Sequence, residues 1–219
     1  MAFKRAFDIC FSLLGLILSS PLWLIFGLLI LLEDGPPVFY LQERVGKDKR
    51  FFKNIKFRSM VKNAEEGIGP VQAGENDARA TKIGRFLRRS AMDELPQLIN
   101  ILKGEMSFVG PRALRRFEIE LRRLDASDKE LVASLFLARS KVVPGLTGAA
   151  QVFAPRDIPR IEKFRYDLWY IKHQGVLLDL KLIFLSLLIS FFGRWETRGR
   201  KLKGVPFGPV FKGEPWQGR

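Results

Sequence analysis

Residues 9–32 read ICFSLLGLILSSPLWLIFGLLILL, 24 positions without a charge. As straight helix at about 1.5 Å per residue, this run covers a hydrocarbon core of roughly 30 Å, so length alone makes it a membrane segment. A cleaved leader would also place basic residues, here Lys4 and Arg5, before an apolar run. No small-x-small cleavage site follows, however, and the run is long for a leader. The flanking charges carry the orientation. Lys4 and Arg5 favour a cytoplasmic N-terminus, and Arg44, Lys47, Lys49, Arg50, Lys53, Lys56 and Arg58 favour the same side for the segment that follows. A single crossing cannot meet both preferences. Ser19-Ser20-Pro21 lies at the centre of the run, where proline deletes a helix hydrogen bond and serine hydroxyls can satisfy the freed carbonyl. The sequence therefore predicts a re-entrant helix–break–helix with Ser20 and Pro21 at the break, a kinked spanning helix being the alternative.

Composition narrows the rest. The 219 residues carry 37 Lys and Arg against 23 Asp and Glu, a net charge of +14, yet 47% are hydrophobic and 19 are Phe, which excludes long intrinsic disorder. One cysteine, Cys10, makes neither an intrachain disulfide nor a zinc site, and one histidine, His173, removes His-cluster metal sites. Chemistry at neutral pH must then rest on carboxylates, Lys, Arg and hydroxyls, with any metal held through oxygen. Anionic phospholipid accounts for the positive charge, at about 1 kcal/mol per basic residue near the surface, without nucleic acid. A membrane-tethered nucleic-acid binder is the rival from another class, but no reader motif accompanies the charge.

Beyond the membrane run, Val38-Phe39-Tyr40-Leu41 and Phe51–Phe57 flank the turn-prone Gly46-Lys47-Asp48 and predict a short β-hairpin. A polar stretch from Asn63 to Arg79 reads as an active-site loop or a plain linker. Helices dominate thereafter: Leu95, Leu98, Ile99 and Leu102 recur at helical spacing with Gly104 as the stop, Ser127 and Glu130 form a capping box, and Ile158 to Ile171 suggest another helix. In Val176 to Phe192, Asp179 and Lys181 leave only 11 clean apolar residues, too few to span, so this helix lies in a membrane interface or in the core. The expected fold is an α-rich α/β chain. A re-entrant membrane helix (1–35) precedes a small cytoplasmic catalytic domain (36–193) with a β-hairpin and interfacial amphipathic helices, and a basic tail (194–219) ends the chain.

Asp93-Glu94 open the helix that runs to Lys103, with Arg85, Arg88 and Arg89 before them and Pro96 after. Ser90-x-x-Asp93 also matches an ordinary capping box, and carboxylates favour helix N-termini on electrostatic grounds. The functional alternative is a site for phosphate and a divalent cation, in which one carboxylate attacks phosphorus or ligates metal. Lys56-Phe57-Arg58 and Gly110-Pro111-Arg112 add cations suited to phosphate oxygens, and Pro144-Gly145-Leu146-Thr147-Gly148 adds a turn whose amides can face an anion.

An ordered set of motifs joins these residues: Lys4-Arg5-x-x-Asp8, Ser20-Pro21, Gln42-x-Arg44-x-Gly46, Lys56-Phe57-Arg58-Ser59-Met60, Asn76-Asp77-x-Arg79-x-Thr81, Gly84-Arg85-Phe86-Leu87-Arg88, Asp93-Glu94-Leu95-Pro96-Gln97-Leu98-Ile99-Asn100, Gly104-x-Met106-Ser107-x-Val109-Gly110-Pro111-Arg112 and Pro144-Gly145-Leu146-Thr147-Gly148-x-x-Gln151. From Lys4 to Leu188 the chain resembles the bacterial sugar transferase family, specifically its small monotopic phosphoglycosyl transferases. The resemblance implies transfer of a sugar-1-phosphate from a UDP-sugar to undecaprenyl phosphate with release of UMP, at the bacterial inner membrane on its cytoplasmic face. It implies that Asp93 is the nucleophile and a ligand of Mg²⁺, and that Glu94 is its metal-site or proton-handling partner. With that chemistry, Lys56, Arg58, Arg88 and Arg112 are expected to cradle phosphate, while Pro144, Gly145, Thr147, Gly148 and Gln151 are expected to face the nucleotide sugar. The expected partners are donor, acceptor and membrane phospholipid, with no nucleic acid; association as a homo-oligomer is left open. The sequence departs from the family pattern at Ala113, where a further proline is usual, and at Phe153-Ala154-Pro155-Arg156, where Asn-Gly-Arg is usual. The second departure leaves the donor sugar and any role of Arg156 open. An inactive scaffold and a glycosyltransferase releasing UDP are the remaining alternatives.

Overall fold

A computed structural model describes residues 2–66, 77–115, 126–154, 158 and 160–191. Arg156, the side chain of Ser127 and the tail from 194 to 219 lie outside the described residues.

Helix α1 (Ala2–Asp34) contains the whole apolar run. The expected break at Ser20-Pro21 is not an interruption, because the helix continues through Pro21. Proline at 21 removes the amide that would bond the Ile17 carbonyl, and the Ser20 hydroxyl donates to that same oxygen at 2.8 Å. The substitution keeps the carbonyl satisfied, so the helix survives its proline. A stripe of buried residues, Asp8, Ser12, Ser19, Phe26, Gly27 and Ile30, follows helical spacing along α1 and faces the rest of the chain. The opposite face is aliphatic and exposed at Ile17, Leu18, Leu24, Leu28 and Leu32.

Both ends of α1 are fixed to the domain. At the start, Lys4 bonds Asp179, Arg5 donates to the carbonyls of Ile101 and Leu102 at 2.7 Å each, and Asp8 accepts from Ser107 and from the Phe108 amide. At the finish, the Glu33 carboxylate accepts from the amides of Lys82 and Ile83, two of the orphan donors at the start of α2 (Lys82–Arg89). Asp34 pairs with Arg58 at 3.2 Å.

The predicted hairpin is present: β1 (Phe39–Val45) pairs antiparallel with β2 (Phe51–Phe57), Tyr40 standing opposite Lys56. Asp48 and Lys49 take positive φ in its turn. Helix α3 (Gln97–Lys103) packs beneath α1, with Leu98 against Gly15, and ends at Gly104 with φ 86°. Asn100, fully buried, accepts from the Ile55 amide and donates to the Lys53 carbonyl, so its side-chain amide acts as a strand partner that fastens β2 to α3.

A second sheet was not expected from the sequence. β3 (Ser107–Val109) and β4 (Gly145–Thr147) pair in parallel, using residues read above as a phosphate-facing segment. Three residues per strand are too few for alternation to show. Gly145 is required for the close approach, since a Cβ there would collide with the backbone of Gly110. Helices α4 (Ala126–Arg139), α5 (Ala149–Phe153) and α6 (Arg160–His173) build the core beside it, Phe164 and Tyr170 being buried. Helix α7 (Val176–Phe191) buries Leu182, Ser186 and Ile189 and exposes Leu177, Phe184, Leu187 and Phe191. The described fold is helix-rich with a small hairpin sheet and one long apolar N-terminal helix.

Candidate active site

The chain between α2 and α3 forms the centre of the site. The Ser90 hydroxyl donates back to the carbonyls of Phe86 and Leu87, closing the C-terminus of α2, so it does not cap a helix starting at Asp93. Ala91 at φ 58° then reverses the chain into a single 3₁₀ turn, Met92–Glu94, before Pro96 leads into α3. The carboxylate pair therefore sits in this turn, ahead of α3 and outside its first turn. The strained residue aims the pair inward.

The two carboxylates have different surroundings. Glu94 is bonded to Lys56, which β2 presents across the hairpin. Asp93 is 8% exposed, and among the described residues no group donates a hydrogen bond to its carboxylate. Burial raises the Asp93 pKa to about 6, with Glu94 adding to the rise while Lys56, Arg88 and Arg112 oppose it. Burial acts on Glu94 in the same direction, but Lys56, Arg112 and the hydrogen bond from Lys56 outweigh it and hold Glu94 well below the usual carboxylate range. At neutral pH both are anions, yet Glu94 is engaged by Lys56 while both Asp93 oxygens stay without a hydrogen bond among the described residues.

Both carboxylates border a cavity of about 1450 Å³. Of the expected phosphate cradle, Lys56, Arg58, Arg88 and Arg112 all line it. Lys56 is engaged by Glu94, and Arg58 by Asp34 and the Gly35 carbonyl. The guanidinium groups of Arg88 and Arg112 form no hydrogen bond among the described residues, which leaves their donors for an anion. Of the expected nucleotide-sugar segment, Thr147 and Gln151 line the cavity, whereas Pro144, Gly145 and Gly148 build the strand junction. The Gly145 amide is taken by the Pro111 carbonyl at 2.9 Å, so it does not face an anion. Gln151 is buried with neither side-chain polar atom hydrogen-bonded.

Three supporting residues escaped the sequence reading. Arg139 and Asp167 form a buried pair at 2.9 Å, and Arg139 also donates to the Arg112 carbonyl at 2.7 Å, fixing the segment that carries the Arg112 guanidinium. Asp34 does the same for Arg58. Lying 28 and 24 positions apart, these pairs leave no local pattern to find.

The donor set suits a hard cation. Among the described residues no cluster of three or more His, Cys, Asp or Glu exists, so a dedicated protein cage is absent there. The uncommitted Asp93 oxygens are what Mg²⁺ needs when it takes one or two carboxylates and completes its shell with substrate phosphate and water.

A family model described as bacterial sugar transferase matches residues 1–193. Among similar proteins, the UDP-N-acetylgalactosamine-undecaprenyl-phosphate N-acetylgalactosaminephosphotransferase of Aeromonas hydrophila is 39% identical over 87% of this chain and 44% of its own length. The UDP-glucose:undecaprenyl-phosphate glucose-1-phosphate transferase of Klebsiella pneumoniae is 40% identical over 89% of this chain and 41% of its own length. This chain thus spans less than half of those two relatives. The exopolysaccharide production protein PSS of Rhizobium leguminosarum bv. phaseoli is 40% identical over 91% of this chain and 98% of its own length.

Proposed function

Since the chain belongs to the bacterial sugar transferase family, we propose that it moves a sugar-1-phosphate from a UDP-sugar to undecaprenyl phosphate, releases UMP, and so initiates a membrane glycoconjugate. One observation carries this reading: a buried, uncommitted carboxylate, Asp93, faces a cationic cavity beside a second carboxylate already neutralised by Lys56.

In the proposed sequence the Asp93 carboxylate attacks the β-phosphorus of the donor, and the bond from that phosphorus to the bridging oxygen breaks. UMP departs with the electron pair, leaving an aspartyl phosphosugar. An oxygen of the lipid phosphate then attacks the same phosphorus, and Asp93 leaves as a free carboxylate. Neither step requires a proton to be removed from the nucleophile, so Glu94 is better suited to hold Lys56 at the site than to act as a base. Arg88 and Arg112 bind and orient the phosphates through directional N–H donors. Mg²⁺, held by Asp93 and the diphosphate, would stabilise charge on the departing UMP.

The membrane arrangement belongs to the same proposal. α1 lies against the domain from Asp8 to Ile30 and is bonded to it at both ends, which supports a re-entrant segment that bends at Pro21 without a break and enters and leaves by one leaflet. The catalytic face then lies at headgroup depth on the cytoplasmic side of the bacterial inner membrane. Single cysteines at the N-terminus and at Lys47 test this; labelling from opposite sides of the membrane would refute it.

The donor sugar differs between the two transferases named above, so the enzymatic test uses a panel. UDP-sugars are offered with Mg²⁺ and undecaprenyl phosphate, and UMP is measured for the parent and for Asp93→Asn. UMP from the parent alone is expected, with one donor favoured. Release of UDP in place of UMP, or full activity in Asp93→Asn, would overturn the proposal.

A further inference from the structure

The cavity that holds Asp93 has a second, apolar part. Its walls include Phe7 and Phe11 of α1, Phe108 of β3, Leu146 of β4, and Ile183 and Leu187 of α7. Phe7 and Phe11 stack with ring centres 4.2 Å apart, and Phe7 stands edge-on to Phe108 at 6.0 Å. β3 packs against both α1 and α7, and the Thr147 hydroxyl bonds Ser186, which pins α7 to β4.

Two clamped helices thus flank a floor made by the small parallel sheet. At one end Lys4 of α1 bonds Asp179 of α7, and Tyr170 joins them by donating to Asp179 at 2.6 Å. Measured from that clamp, Phe7 and Phe11 lie about one and two turns along α1, and Ile183 and Leu187 about one and two turns along α7. The four side chains line one cavity. Its outer edge is open, Phe11 being 50% and Leu187 63% exposed.

Resting on the function proposed above, we infer that this trough between α1 and α7 receives the first isoprene units of the polyprenyl phosphate acceptor. Charge complementarity selects the occupant. The polar part of the same cavity offers Arg88 and Arg112 to an anion, and the apolar part offers mainly rings and branched aliphatics, with no charged group among these wall residues and with the Thr147 and Ser186 hydroxyls bonded to each other. A ligand that fills both has a phosphate at one end and a single apolar chain directly attached, with no glycerol between them. A chain longer than the trough leaves over its open edge into lipid. The nucleotide donor has no apolar portion and gains nothing there.

The test uses the full chain in lipid nanodiscs. Phe11→Ser and Leu187→Ser should each raise the KM for undecaprenyl phosphate about tenfold, roughly the loss of part of one apolar side-chain contact. The KM for the UDP-sugar should stay as in the parent. Leu177→Ser, exposed on α7 away from the trough, serves as the control for general lipid contact. An equal KM rise in Leu177→Ser, or none in the trough variants, would overturn the inference. As a measurement that needs no variant, a polyprenyl phosphate with a diazirine in its first isoprene unit should label peptides containing Phe7, Phe11, Ile183 or Leu187. Labelling confined to peptides elsewhere would also overturn it. A parent enzyme that releases no UMP from the donor panel would instead sink the underlying transferase reading.

Discussion

Replacing Asp93 with Asn should abolish transfer and, at the same time, stabilise the fold. The carboxyl is buried and its pKa lies at about 6 against 3.8 in an unperturbed chain. That difference means the folded state binds the Asp93 proton more tightly than the unfolded chain does, by about 3 kcal/mol at 1.36 kcal/mol per pH interval. The sign follows directly. Well below pH 3.8 the group is protonated in both states and costs nothing; between 3.8 and about 6 the unfolded chain ionises first, and above about 6 the folded protein must carry a buried anion, with the stability fully lost. An asparagine of nearly the same shape carries no charge at any pH, so it removes this penalty only where the penalty exists. At pH 8 the variant should be more stable by up to about 3 kcal/mol, which for a chain of this size raises Tm by roughly 5–10 °C. At pH 4.5 the gap should shrink to about 1 kcal/mol, a third of its value at pH 8. Thermal unfolding in nanodiscs, followed by tryptophan fluorescence at both pH values, measures it. UMP release should fall about a thousandfold or more. A variant less stable than the parent at pH 8, or an equal gain at both pH values, would show that burial of the Asp93 charge is not what sets its environment.

Lys56→Met should destabilise the protein by about 3 kcal/mol, because it strands the Glu94 charge; adding Glu94→Gln should recover much of that loss, as a double-mutant cycle by denaturant unfolding would show. Gly145→Ala should prevent β3 and β4 from pairing, since no methyl group fits against the Gly110 backbone, and monodisperse protein after extraction is not expected. Asp167→Asn should cost about 3 kcal/mol by leaving the buried Arg139 charge without a counter-ion. It should also lower transfer through the Arg112 segment, a loss that Asp167→Glu should not restore if the 2.9 Å geometry matters.

The hairpin, α3 and α6 were legible in the sequence because each carries its own period and its own stop, as Gly104 does for α3. The carboxylate pair was legible as a motif, and its cationic neighbours as clusters. Which carboxylate stays uncommitted was not, because that depends on Lys56 reaching Glu94 across 38 positions of chain. The role of Ser90 was misread for a related reason: a hydroxyl can cap the helix behind it as easily as the one ahead, and only the positive φ of Ala91 decides between them. β3 and β4 left no trace, since their pairing is specified by what the glycines omit.

Hydropathy saw α1 correctly as apolar but sums over faces that do different work. One face, with Asp8, Ser12, Gly15 and Ser19, is small and polar where it meets α3 and β3, and turns aromatic at Trp23 and Phe26 where it meets Phe57. The other face is aliphatic throughout its middle. The stripe of hydroxyls and glycines is matched to the protein surface it packs on, which an average over the whole helix conceals. Its last turn also feeds the site: Glu33 holds the first amides of α2, the helix that carries Arg88, and Asp34 holds Arg58. The long apolar helix and the segments that carry Arg88 and Arg58 are therefore one mechanical unit, which links the position of α1 to the alignment of these two arginines at the cavity through named bonds.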